Sequence, residues 1–452
     1  MNHPSGFRWN RGVCKRLAAR SNSGGPGAGA KSAGAFFSLL DEQLRLGTEG
    51  YSPLLVQKIE YAGGNHPSFE AASQSLEKLA ELSISPKHVQ TVTERLGRER
   101  ADERDAKARQ MEAGELKSGR RQPPAVVAIH VDAGKMQFRA EGCGRGVHDP
   151  AWGDAKVACL QSYTAVRFDK DPEPEPPPAF LDPARVERLC REMEHVRGTP
   201  GSKTEEKKKE VAQPKRRREK VSRRRKRAQR LLRTVVATTR AVEAFGWMVS
   251  AEATKRGFYD ALIGAIVGDG GNWVGPLGDL HFPGWVQILD FPHLLVHLYA
   301  AARLAFPNQP KAAWGLYERM LRDAWAGRAS DVLQALQDQV GRLGVAPPEA
   351  RKDDPRNVVR RVRDYVQANL GRMDYPTYRR KGLPISSALV ESLIKQMNQR
   401  VKGSEKFWVE SNGEAILQVR AAYLSEDDRA EKFHARRPRG PAVGRNRRKI
   451  PT

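Results

Sequence analysis

The stretch AIVGDGGNW, residues 265–273, is an apolar run that breaks at once into Asp269, Gly270 and Gly271. Three readings compete for it. A glycine-rich loop would cradle a phosphate, an ordinary turn would reverse the chain, and a carboxylate at a strand end would hold a metal ion. The phosphate cradle is the weakest, because the third glycine of GxGxxG is missing and no Gly-Lys-Ser/Thr follows. Asp before Gly is also a frequent turn pair. The choice rests on whether the rest of the chain supplies partners for Asp269.

Around it, the hydrophobic period alternates between strand and helix. ALIGAIVGD (261–269) has strand length, as do VVAIHVDAG (126–134), KVACLQSYTAV (156–166), TVVATT (234–239) and WVQILD (285–290). MQFRAEGCGRGVHDP (136–150) leaves room for a hairpin partner and a glycine-rich turn, and DPEPEPPPAF (171–180) ends the sheet pattern because proline cannot donate to a ladder. AVEAFGWMVSAEATKRG (241–257) and PHLLVHLYAAARLAF (292–306) have helical spacing. Residues 311 to about 372 read as helix with a break at GVAPPEARKDDP (344–355), and a last strong helix follows Pro384 through ISSALVESLIKQMNQRV. The order predicts a mixed α/β sheet domain carrying a helical insertion.

Three acidic residues stand out on this map. Asp132 is expected to end the strand VVAIHVD and Asp269 to end ALIGAIVGD, while Glu391 lies on a polar stripe of the final helix with Ser387, Lys395, Asn398 and Lys402. Two strand-end carboxylates on neighbouring strands, joined by a third from a helix, would make a cluster of hard oxygen ligands of the kind Mg²⁺ takes. Two such ions support phosphodiester chemistry by activating the attacking oxygen and stabilising the leaving one. Taken singly, each has a plainer reading: a turn residue for either aspartate, a solvated helix charge for Glu391.

The 452-residue chain carries 78 Lys plus Arg against 53 Asp plus Glu, a net +25. That favours a polyanionic partner. Residues 203–233 alone hold 16 Lys or Arg and 4 Glu, a net +12. No apolar run approaches the ~20 residues of a membrane span. MNHPSGFRWNRGVCKRLAAR has no apolar stretch of the secretory type, and the four cysteines form no CxxC pair. A soluble protein of a reducing cytoplasm, nucleoid-associated, is the expectation.

Near the N-terminus, FEAASQSLEKLAEL (69–82) and SPKHVQTVTERLG (85–97) predict two short helices, the second capped by Ser85, opened by Pro86 and stopped by Gly97. They form a helix-turn-helix candidate that would offer Lys87, His88, Gln90 and Thr91 to DNA, or else an ordinary helical hairpin.

GDGGNWVGPLGDLHFPGWVQILDFPHLLVHL resembles bacterial insertion-sequence DDE transposases of the Kra type, distant relatives of the mutator-like group. The matching positions are Asp269, Gly270, Trp273, Phe282-Pro283-Gly284, Gln287 and Asp290-Phe-Pro-His293. The likeness extends upstream to HVDAG and RTVVATTRAVEAFGWMVSAEATKRGF, and downstream to MDYPTYRRKGLPISSALVESLIKQMNQRVKGSEKFW, so it spans roughly residues 50–425.

The resemblance implies an α/β, RNase H-like mixed sheet with flanking helices, an all-helical insertion and an N-terminal helix-turn-helix-like region. Asp132, Asp269 and Glu391 would be its catalytic, metal-binding triad, holding two Mg²⁺ or Mn²⁺ ions. Asp290 and His293 would support the triad, with a helix N-terminal charge and a packed histidine as the plainer reading. The implied partners are double-stranded DNA, at transposon ends and target, and further copies of the chain in an active homo-oligomer, with no membrane. Arg216, Arg217, Arg218, Arg223, Arg224 and Arg225, with Lys402, would meet phosphates. Trp408 would stack on a base or else sit in the core. His130 and Lys135 beside Asp132 have no assigned role, and Ser386-Ser387 stands where the family has glycine. The expected division is a basic arm at 1–50, a helical DNA-binding region at 51–120, and a catalytic domain at 121–310 with a basic Pro/Arg-rich insertion at 171–233. A helical insertion at 311–380, final catalytic helices at 381–430 and a basic tail at 431–452 complete it. A non-catalytic DNA-binding protein derived from a decayed or domesticated transposase is the alternative.

Overall fold

The computed structural model describes residues 51–119, 122–144, 151–197, 228–386, 388–403 and 405–436. The arm at 1–50, most of the basic run at 203–233 and the tail from 437 lie outside them. The chain is of mixed α/β class, with one five-stranded sheet and fourteen helices among the described residues.

Three helices come first: α1 (Pro53–Asn65), α2 (Phe69–Ala80) and α3 (Pro86–Glu112). The sheet is built from β1 (Val126–Phe138), β2 (Ala151–Tyr163), β3 (Arg230–Thr238), β4 (Ile263–Gly268) and β5 (Val286–Leu289). Its spatial order is β3-β2-β1-β4-β5. β2 runs antiparallel to both neighbours, while β1, β4 and β5 are parallel. Parallel neighbours need crossovers, and α5 (Val242–Lys255) and α6 (Val274–His281) lie in the connections that enter β4 and β5.

The pleat sorts the core. Val127, Ile129 and Val131 of β1 pack with Phe245, Met248 and Val249 of α5 on one face. Val126 and Ala128 face the other way, joining Ala265 and Val267 of β4 against α7 (Phe291–Ala305). That second face also carries the helical block, α8 (Pro310–Trp325), α9 (Ala329–Leu343), α10 (Pro355–Ala368) and α11 (Tyr375–Arg380). Farther along it, Val157 and Cys159 of β2 pack with Val390, Leu393 and Ile394 of α12 (Ala388–Val401) and Ile416 of α13 (Glu410–Leu424).

Several sequence expectations need correction. Asp132 does not end its strand: β1 continues six residues to Phe138, because β2 remains paired with it through Phe138↔Ala151. What ends there is the parallel neighbour, since β4 pairs with β1 only as far as Val131↔Gly268. Gly97 does not stop a helix either. It lies inside the 27-residue α3, where a Cβ would stand 2.2 Å from the Ala415 carbonyl oxygen. The missing side chain lets α3 and α13 pack backbone to backbone.

The charged stretch from 98 is helical to Glu112, its Arg100, Arg104 and Asp105 shielded from water by ion pairs. Within the expected insertion, α4 (Pro183–Arg197) buries Val186 and Cys190 against the helical block. The expected tail begins with α14 (Arg429–Arg436), whose Phe433 is buried near α1 to α3.

Candidate active site

Where β4 and β5 end, β1 runs on beside them, and three aspartates come to one level of the sheet. Val131 pairs with Gly268 and Gly268 with Leu289, so Asp132, Asp269 and Asp290 each follow a matched position. Asp132 is the register partner of Val157, which faces α12, so its carboxylate lies on the α7/α12 side.

Asp269 both ends a strand and makes a turn. Its Oδ1 accepts from the Gly271 N–H at 3.0 Å, an Asx turn. Gly270 has φ +79°, which an L residue rarely adopts, and a Cβ there would meet Tyr365 and Leu289. The glycine therefore serves the turn and the packing of Tyr365, whose hydroxyl donates to the Asp269 carbonyl at 2.8 Å. Asp132 is 9% exposed, and its Oδ1 accepts from the Ala133 N–H at 2.7 Å.

Asp290 caps α7 and is fully buried. Its Oδ2 accepts from the His293 backbone N–H at 3.0 Å and lies 2.5 Å from His293 Nδ1. Pro292 in the first turn gives up no hydrogen bond, since that N–H has no helical acceptor. Glu391 arrives from the first turn of α12, its Oε1 4.0 Å from His293 Nδ1. The ligating atoms of Asp290, His293 and Glu391 all lie within 4.8 Å of one another. Two helix N-termini therefore converge on this carboxylate pair, where the dipole favours negative charge.

Burial raises the Glu391 carboxyl above the usual range, the Asp290 charge adds to this, and His293 and Lys395 oppose it. Glu391 Oε1 is buried with no hydrogen-bond partner. A buried carboxylate oxygen left unmatched fits a cation as its missing partner. Because His293 Nδ1 is engaged with Asp290, an ion would draw on carboxylate oxygens or on the other ring nitrogen. Oxygen-rich sets suit Mg²⁺ and Mn²⁺. Asp132, Asp269 and Glu391 do not by themselves form such a close group among the described residues.

His130, two residues before Asp132, is wholly buried. Burial pushes its imidazole down to about 4, against the pull of Asp290, so the ring is neutral at physiological pH. Its Nε2 lies 3.5 Å from the Tyr163 hydroxyl. Tyr365 and the His130–Tyr163 contact escaped the sequence reading. Neither lies in a motif, and only their fold neighbours give them a place.

The candidate DNA contacts divide. Lys87 is exposed near the start of α3, whereas His88 packs edge-on to Tyr51 at 5.3 Å and Gln90 donates to Glu94 at 2.7 Å. Lys402 is partly buried just after α12, which lowers its ammonium from the ordinary range. Trp408 is a core residue: it is 9% exposed, its indole N–H donates to the Val401 carbonyl at 2.8 Å, and its backbone pairs with Gln137 and Arg139. Arg216, Arg217, Arg218, Arg223, Arg224 and Arg225 lie outside the described residues. No helix among the described residues is long and apolar enough to cross a membrane. Comparison of the chain with protein-family models and with curated proteins returns no match.

Proposed function

We propose that the chain is a metal-dependent DNA transposase of RNase H-like architecture, cutting transposon ends and joining them to target DNA. One observation carries this reading. Asp132 and Asp269 follow matched positions of a parallel strand pair, and Glu391 reaches the same face from the last third of the chain. The strand order, with one antiparallel strand second from the edge, supports the RNase H-like reading. Asp132, Asp269 and Glu391 would hold the ions, with Asp290 fixing His293 beside Glu391. With divalent ions bound, the site gains the Lewis acidity that in-line attack on a phosphodiester requires. The carboxylates hold metal and do not shuttle protons, while the basic surface holds the DNA backbone without reading its sequence.

The test uses supercoiled DNA carrying the sequences that flank the gene, with Mg²⁺. Asp132→Asn, Asp269→Asn and Glu391→Gln are each expected to lower cleavage and strand transfer about a hundredfold or more, the scale of losing one transition-state stabiliser. DNA binding, read by fluorescence anisotropy, should persist. Unimpaired strand transfer in any of the three sinks the assignment. The alternative is a non-catalytic DNA-binding descendant. It predicts that the wild-type chain binds the same DNA and never cuts it.

A further inference from the structure

A cavity of about 310 Å³ opens at the β3 edge of the sheet, between α3, α5, α13 and α14. None of its lining residues belongs to the candidate active site. Val235 and Val236 of β3 and Met248 of α5 give it an apolar floor, and its walls are basic. Some of those cations are already matched. Arg100 is held by Glu60, Arg104 by Asp105 and Glu414, and Arg429 by Glu252 and Asp427.

The remaining cations are under-neutralised. Lys107 and Arg436 share one carboxylate, Glu103, at 3.7 and 3.2 Å. Lys432 spends its ammonium on the Asp427 backbone carbonyl at 2.6 Å. Lys255, beside Lys107, has no carboxylate partner of its own among the described residues. Burial and the neighbouring Lys255 ammonium push Lys107 down to about 8. Two ammonium groups crowded on a half-buried wall repel each other, and an anion between them removes that cost.

We propose that this cavity binds a phosphate group through Lys107, Lys255 and Arg436, and that the phosphate belongs to the backbone of bound DNA. The volume exceeds what a bare ion needs, so an esterified sugar has room at the apolar floor. The net charge of +25 favours DNA as the source over free phosphate. Only that choice of source rests on the transposase reading; the site itself does not.

The full-length chain is tested in two arms. In the first, Tm is measured in inorganic phosphate and in chloride at matched ionic strength. Phosphate should raise the Tm of the wild type but not of the Lys107→Gln/Lys255→Gln double variant. Glu103→Gln should bind phosphate several-fold more tightly, a gain that a purely structural role for the lysines would not produce and that survives if the double variant folds poorly. In the second arm, duplex DNA binding is followed by anisotropy across salt. The double variant should lower the slope of log K against log salt by about 1 for a backbone phosphate lost. A Tm response with an unchanged slope keeps the phosphate site and overturns DNA as its source. No Tm response in either the wild type or Glu103→Gln overturns the proposal. Glu391→Gln leaves the cavity intact and should retain both responses, so failure of the catalytic reading is told apart from failure of this one.

Discussion

At the residue scale, Asp290 carries two duties that a substitution can separate. It caps α7 through the His293 backbone N–H, and its charge lies against the His293 ring beside Glu391. Asparagine caps helices about as well as aspartate but lacks the charge. Asp290→Asn should therefore keep the wild-type Tm to within a few degrees while losing Mg²⁺-dependent cleavage. Asp290→Ala should lose cleavage and also about 1 kcal/mol of stability with the cap. If Asp290→Asn cleaves at the wild-type rate, the residue is a cap alone. Asp269 and Glu391 were legible as candidates because a strand end and a polar helix stripe are periodic signals, whereas Asp132 was picked out by a strand end that lies six residues farther on, at Phe138. The closeness of Asp290, His293 and Glu391 was not, because it depends on where α12 docks on the sheet.

At the element scale, the five strands and the helices of the block were legible, since each has a hydrophobic period of its own. The misread boundaries are those set by packing. α3 continues past Gly97 because α13 needs the space, and β1 continues past Asp132 because β2 stays paired with it. Intrinsic propensity says that Gly97→Ala should stabilise α3 by about 1 kcal/mol. A Cβ placed 2.2 Å from the Ala415 carbonyl oxygen says the opposite, and backbone cannot step aside as a side chain can. Overpacking of this kind costs about 1–3 kcal/mol or more, so the net effect should be destabilising. Urea unfolding decides the sign, and a raised midpoint would refute the close contact. The helical block also reaches the sheet with tyrosine hydroxyls. Tyr365 donates to the Asp269 carbonyl and Tyr375 to the Leu289 carbonyl at 3.0 Å. The helical block thus braces the two strand ends that lie before it in the chain, while Glu391 follows it.

At the scale of the whole molecule, the first and last described helices meet on one buried charge. Glu60 of α1 accepts from Arg100 of α3 at 2.7 and 2.9 Å, from the Tyr423 hydroxyl of α13 at 3.1 Å, and lies 2.7 Å from His434 Nε2 of α14. Burial pushes the carboxyl up, but the bonds from His434 and Arg100 outweigh it and hold the group at about 2. A carboxyl depressed on folding stabilises the protein above its unfolded value and loses that stability as pH falls through the folded one. Stability should therefore drop between about pH 5 and 2, with Glu60 contributing about 3 kcal/mol of the loss. Glu60→Gln should start lower at pH 7 and show a shallower acid limb in thermal unfolding. An unchanged acid limb would count against the network. Nothing in the sequence around Glu60 marks it as buried, because all its partners are distant in the chain.

The overrun of β1 beyond Asp132 has a consequence for when the protein becomes competent. The Trp408 N–H donates to the Gln137 carbonyl, and the Arg139 N–H to the Trp408 carbonyl, stitching the segment after α12 onto the far end of the strand that carries Asp132. The chain that follows Glu391 is thereby tied to that early strand. A nascent chain still on the ribosome has the first two aspartates long before it has Glu391 or this attachment. On the transposase reading proposed above, it would stay inert toward nearby DNA until synthesis is almost finished. On the same reading, truncation between the basic run at 203–233 and Glu391 would yield a chain that keeps that run and loses the third carboxylate.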